Sequence, residues 1–359
     1  MKRSLPLLII ISLLGAFGLA ERKPFEIADL YRLKGVSDPQ VSPDGGRIAF
    51  VLTEYDLKKG TSNADVYLIQ ADGTGLRRLT TSEKADTHPR WSPDGKQLLF
   101  VSARKDTPQI YLLPADLGEP KAVTELSTGA DGPEWSPDGT HILFQSSVFP
   151  ECGADDACNK KIDTALGEGP LQAHLADRLF YRQWTDYRDG KRQHTLLLEL
   201  SSGKLTDLTP GDFDSPSISP GLTRGYAFSP DGREICVASK RDPDEAESTN
   251  NDLYLITLPG GEARCITAAN KAFDGDPLYS PDGRFIAYRR QLTPAFEADR
   301  FRMMLYDRQT GNHRDLTPEF DYWVDDFAWS PDARHLFFVA QVKGRYPVYR
   351  MEIATGEVI

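Results

Sequence analysis

Four residues crowded into six positions carry the densest binding chemistry in this sequence: Arg182, Trp184, Asp186 and Tyr187. A guanidinium can bind a carbonyl or carboxylate, two aromatic rings can wall a side-chain pocket, and Asp186, or Glu168 upstream, can hold an ammonium group. A structural reading competes and carries more weight. In it, Trp184 and Tyr187 plug the end of a sheet while Arg182 pairs locally.

Residues able to break bonds are harder to find. No serine has glycine both two residues before and two residues after it, so the Gly-x-Ser-x-Gly nucleophile elbow is missing. The nearest approach, Gly60-Thr61-Ser62-Asn63-Ala64, lies in a polar hairpin rather than between a strand and a helix. The six histidines (His88, His141, His174, His194, His313 and His335) are scattered without metal-ligand spacing, and no glycine-rich phosphate loop occurs. The sequence therefore offers no catalytic residue, no metal site and no cofactor site. Of four cysteines, Cys152 and Cys158 lie close together in a polar stretch and are expected to form a disulfide. A zinc pair is the alternative, but no histidine or further cysteine stands nearby.

The elements that position these residues follow from a repeat. Ser-Pro-Asp-Gly occurs at 42–45, 92–95, 136–139, 229–232 and 280–283, and a sixth copy at 330–333 ends in Ala333. Proline fixes φ at a central turn position, aspartate bonds its own backbone and glycine tolerates positive φ, so each copy is a tight turn between strands. A bulky apolar residue precedes every copy (Val41, Trp91, Trp135, Phe228, Tyr279, Trp329). Apolar residues recur six and eight places after its serine, as in Ile48/Phe50, Leu98/Phe100 and Ile142/Phe144. Period two means strand. A third apolar run and a short strand ending in Leu-Thr or a close variant (Leu79-Thr80, Val123-Thr124, Leu208-Thr209, Ile266-Thr267, Leu316-Thr317) complete four strands per unit. Units of this length and strand count predict an all-β fold, a β-propeller whose blades bury their faces against one another. The tryptophans before the turns are then inter-blade packing residues. Cys236 falls on the second strand of its unit and Cys265 on the fourth, beyond disulfide reach, so both are expected to be buried thiols.

Successive motifs are 50, 44, 93, 51 and 50 residues apart. The long interval holds one Leu-Thr ending, so it is expected to be one blade with an insertion over about 148–193 rather than two blades. That insertion carries the cysteine pair and the Arg182–Tyr187 cluster, and 171–187 is expected to be partly helical. Residues 21–38 form a leader with a short helix, and the propeller runs from 39 to 359 with six recognisable blades. The sixth blade lacks a Leu-Thr strand, which suggests the front part of a longer protein or a truncated product.

Lys2 and Arg3 precede an apolar run over 5–17, and Gly18-Leu19-Ala20 supplies small residues for cleavage, so 1–20 is expected to be a signal peptide of an exported chain without a stable membrane anchor. With 42 Lys and Arg against 53 Asp and Glu, net charge −11, nucleic acid and anionic membranes are poor partners.

The leader PFEIADLYRLKGVSDPQVSPDGGRIAFV, the repeated turns, and an insertion containing CGADDACNKK and RLFYRQWTDYRDGKRQH resemble the N-terminal propeller of the prolyl oligopeptidase (S9) family, most closely its exported dipeptidyl peptidase 5 and acylaminoacyl-peptidase branch. The resemblance covers essentially all of the chain after residue 20. It implies a propeller that screens peptide substrates for a C-terminal α/β-hydrolase domain bearing a Ser-Asp-His triad. That domain is expected as a partner but absent from this sequence, so no catalytic residue carries over. The alternative is a TolB-like periplasmic propeller acting as a protein-binding module.

Overall fold

The computed structural model describes residues 24–116, 118–170, 173–177 and 179–359; the expected signal peptide, 1–20, lies outside them. Each repeat folds into one antiparallel sheet with its strands in chain order, and the six sheets are blades 1 to 6. Blade 1 comprises Gly35–Val41, Arg47–Asp56, Thr61–Gln70 and Arg77–Arg78, its inner strand starting four residues before the expected boundary. Blades 2, 4 and 5 open with Asp86–Trp91, Tyr226–Phe228 and Asp274–Tyr279. The long interval is a single blade 3, made of Asp131–Trp135, His141–Val148, Arg192–Glu199 and Leu205–Asp207, with the insertion between its second and third strands. Blade 6 has three full strands, Val324–Trp329, His335–Ala340 and Val348–Glu352. A fourth has begun: Val358 bridges Met351, and Ile359 exchanges both backbone hydrogen bonds with Arg350.

The turn motif builds the same circuit six times. Its serine hydroxyl donates to the aspartate two residues on (Ser42 to Asp44 2.5 Å, Ser136 to Asp138 2.6 Å, Ser330 to Asp332 2.6 Å) and accepts the amide five residues on, as from Arg47 at 2.9 Å. The fourth position is left-handed, with φ near 70° in the glycines and 58° in Ala333. The Leu-Thr ending has an equally local reason. Thr80, Thr124, Thr209, Thr267 and Thr317 each accept a third-strand amide through Oγ1, at 2.9–3.0 Å, and so tie the outer strand to the blade.

The core is divided among the seams between blades. Leu99, Ile110, Phe144 and Leu196 fill the seam of blades 2 and 3; Leu143, Tyr226, Ile235 and Ile256 fill that of blades 3 and 4. Each such side chain contributes about 1.5–3 kcal/mol of burial. Three tryptophans staple neighbouring blades: the indoles of Trp91, Trp135 and Trp329 donate to the carbonyls of Gln40, Arg90 and Leu278 on the preceding inner strand, at 2.9, 3.2 and 3.2 Å. Among the described residues no buried cluster joins blade 6 to blade 1, and Phe337 and Val348 on the outward face of blade 6 are 42% and 67% exposed. Cys236 is buried and Cys265 only half-buried; both are free.

Candidate functional site at the propeller channel

The insertion is helical earlier than 171–187. Helix α2 spans Asp156–Glu168, whereas the described part of 171–187 holds only a two-stranded hairpin, Arg182–Gln183 with Asp186–Tyr187. The helix is held by polar locks in place of an apolar stripe. Asp155 caps it by accepting from the Cys158 amide (3.1 Å), and Asp156 accepts from the amide and hydroxyl of Ser127 (both 2.7 Å). Asn159, 1% exposed, accepts from the Phe149 amide at 2.9 Å and donates to the Gly153 carbonyl at 2.9 Å. Cys152 and Cys158 form a disulfide with Cα atoms 5.5 Å apart.

Beyond the hairpin the chain returns to the ring through largely buried ion pairs, with Asp212 on the exposed side. Arg188 donates to Asp214 (2.6 Å), while Arg192 donates to Asp212 (2.7 Å) and Glu245 (2.9 Å). These pairs join the base of the insertion to the loops before and within blade 4. They hold the hairpin over one mouth of the central channel, where a cavity of about 700 Å³ is lined by Phe180, Arg182 and Trp184 from the insertion and by Lys240, Glu245 and Gln193 from the ring. Burial pulls the Lys240 ammonium down from its usual range, against the pull of Glu245 and Asp242.

A second cavity, about 910 Å³, continues down the channel and shares Gln145, Thr223 and Gly225 with the first. Its wall comes from inner-strand residues that share one repeat position. The residue four before the motif serine is left-handed at Asp38, His88, Gly132 and Asp276, each followed by proline, and the strand pairing slips by one residue beside Asp38, His88 and Asp276. Such a bulge re-aims side chains. Asp38 and Arg90 pair across the first two blades at 2.8 Å, and His88 meets Asp131 at 3.2 Å. The Asp131 carboxylate raises the His88 imidazole above its ordinary value, partly offset by burial. Glu134, half-buried in the cavity wall, is pushed up to about 7 by burial, with Arg224 and Arg90 pulling it the other way. Asp276 fixes the Arg224 segment by accepting the amides of Thr223 (2.6 Å) and Arg224 (2.7 Å).

Comparison with known proteins places this architecture. The pattern described as TolB beta propeller domain (PD40) matches residues 28–154. The chain is 29% identical over 333 residues to dipeptidyl-peptidase 5 of Porphyromonas gingivalis, covering 91% of this chain and 47% of that protein. Among solved structures, Pyrococcus horikoshii acylaminoacyl peptidase aligns with a TM-score of 0.67 at 17% identity, over 92% of this chain and 46% of that one. The β-propeller domain of the trilobed protease from Pyrococcus furiosus aligns with a TM-score of 0.60 at 16% identity, over 91% and 84%. This chain is a TolB-like β-propeller whose relatives include dipeptidyl-peptidase 5.

The chain spans about half the length of the curated dipeptidyl-peptidase 5 it matches. Within this TolB-like propeller, the structure brings Arg182 and Trp184 together at the channel mouth, the Arg182 guanidinium donating to the Trp184 carbonyl at 2.8 Å. Trp184 is 87% exposed, so it plugs no blade. Tyr187 instead stacks on His174 with ring centroids 3.5 Å apart, beside a separate small cavity. Asp186 is exposed on the hairpin's second strand, and Glu168, the last residue of α2, is exposed as well; neither lines the mouth. The channel residues Asp38, Arg90, Glu134 and Arg224 went unnoticed in the sequence, and His88 was weighed there only as one of six scattered histidines. Their signal was a polar residue before proline, four places ahead of the serine, in the copies at Asp38, His88 and Asp276.

Proposed function

We propose that this propeller is the peptide-admitting module of an exported serine exopeptidase, binding substrate at its channel mouth and having no hydrolytic activity of its own. The single observation that carries the reading is the mouth cavity itself. The insertion presents an exposed indole and a guanidinium over an opening bordered by Lys240 and Glu245, an arrangement suited to a short peptide's apolar side chain, carbonyls and terminus. The similarity to dipeptidyl-peptidase 5 supports peptide as the ligand class and a hydrolase domain as the partner of this module. Export is supported by the Lys2-Arg3 leader with its apolar run and by the Cys152–Cys158 bridge.

The test is titration of a short peptide with a free N-terminus into the purified chain and into Trp184→Ala. Loss of stacking and area predicts about fivefold to tenfold weaker binding in the variant. Its melting temperature should be unchanged, because the side chain is solvent-exposed. A variant that melts lower and binds equally well would make Trp184 a packing residue and refute the reading.

A further inference from the structure

The lower channel cavity is lined by two groups of opposite sign, Arg224 and Glu134, and the first is incompletely satisfied. Nη1 of Arg224 is buried without a hydrogen-bond partner; its other terminal nitrogen faces Asp326 at 3.6 Å, and the guanidinium lies 5.7 Å from the Phe327 ring centroid. Glu134 faces Arg224 and Arg90 electrostatically but makes no direct ion pair with either, for Arg90 is occupied by Asp38 and by the Pro89 carbonyl. The remaining charged neighbours are also engaged, since Asp131 holds His88 and the Gly132 amide. Tyr226 is spent on the Gly132 carbonyl.

A buried guanidinium nitrogen without an acceptor costs about 1–3 kcal/mol, and the half-buried Glu134 carboxyl beside it has no cation in direct contact. They line one cavity of about 910 Å³, within the size range of small-molecule sites. A ligand bringing a carboxylate to one and an ammonium to the other would satisfy both at once. Trp91 and Trp135 supply apolar wall to the same cavity.

We infer that the lower channel is a binding site for a small zwitterion of the amino-acid or dipeptide class, its carboxylate on Arg224 and its ammonium on Glu134. The site is separate from the Trp184 mouth and does not depend on the function proposed for it. Asp276 acts as its positioning residue, because it grips the backbone from which Arg224 projects.

The experiment is calorimetric titration of the purified chain with glycylglycine near pH 7.5, beside N-acetylglycylglycine, which lacks the ammonium, and glycylglycinamide, which lacks the carboxylate. The expected result is saturable glycylglycine binding that weakens about tenfold for either blocked compound, as for the loss of one charge-assisted hydrogen bond. Glu134→Gln and Arg224→Gln should weaken glycylglycine binding similarly, whereas Trp184→Ala should leave it intact, which separates this site from the mouth. Absence of saturable binding to the unsubstituted chain up to about 20 mM would overturn the inference, as would blocked compounds binding as tightly as glycylglycine. The ligand series decides the matter in the unsubstituted protein even if a variant fails to fold.

Discussion

A single guanidinium nitrogen of Arg188 lies 2.6 Å from Oδ1 and 2.5 Å from Oδ2 of Asp214; the carboxylate is buried and the arginine side chain is 12% exposed. Twenty-six residues of chain separate them, so this pair fastens the mouth hairpin to the ring. Arg188→Ala leaves Asp214 with Arg192 at 3.5 Å as its remaining cation. The expected loss is about 2–3 kcal/mol in denaturant unfolding, below the full cost of an orphaned buried charge because that second cation remains. Peptide binding at the mouth should weaken in the same variant.

The pH dependence of stability has a sign fixed by Glu134. Its folded carboxyl is raised from 4.5 to about 7 by burial, so the folded state holds its proton more tightly than the unfolded chain does. That contribution is fully present below about pH 4.5 and disappears as pH rises through about 7. Asp274, raised to about 7 by burial against the pull of Arg290, acts in the same direction. Glu134→Gln should therefore gain stability relative to the parent chain across this interval and keep a constant advantage above it, as read from melting temperatures at a series of pH values. A difference that does not vary with pH would contradict the assignment.

Ala333 sits at φ 58° in the one turn motif that lacks glycine. Ala333→Gly relieves a left-handed alanine and is expected to stabilise the chain by about 0.5–1 kcal/mol. The mirror substitution Gly139→Ala, at φ 70°, should cost a similar amount. Chemical denaturation of the two variants checks both signs.

The bridge between Cys152 and Cys158 closes a short loop at the start of α2. Non-reduced protein should alkylate only at Cys236 and Cys265, and more slowly at the buried Cys236. Replacing both bridge cysteines by serine should lower stability by about 2 kcal/mol, the loop-closure entropy of so small a ring. Full alkylation at four sites without reductant would contradict the pairing.

The blades were legible because their signals are local and repeated: a proline-fixed turn, period-two apolar residues and a threonine that returns to the third strand. Less of the site was legible. Helix α2 has few apolar residues and is held by Asp155, Asp156 and Asn159, whose roles depend on partners at Phe149 and Ser127 that no periodicity reveals. The channel wall was missed because a one-residue bulge leaves the apolar alternation around it intact while turning Asp38 and His88 inward. The Arg182–Tyr187 cluster was visible as chemistry. Its division could be read only from the hairpin, which places Arg182 and Trp184 at the mouth and turns Tyr187 onto His174.

Backbone hydrogen exchange of the purified chain, with and without a short peptide bearing a free N-terminus, tests the central claim most directly. The account predicts slowed exchange over the hairpin, 180–188, and the facing blade 4 loop, 240–249, with the six turn motifs unchanged. Protection confined to the outward faces of blades 1 and 6, or none at saturating peptide, would contradict a peptide-admitting mouth.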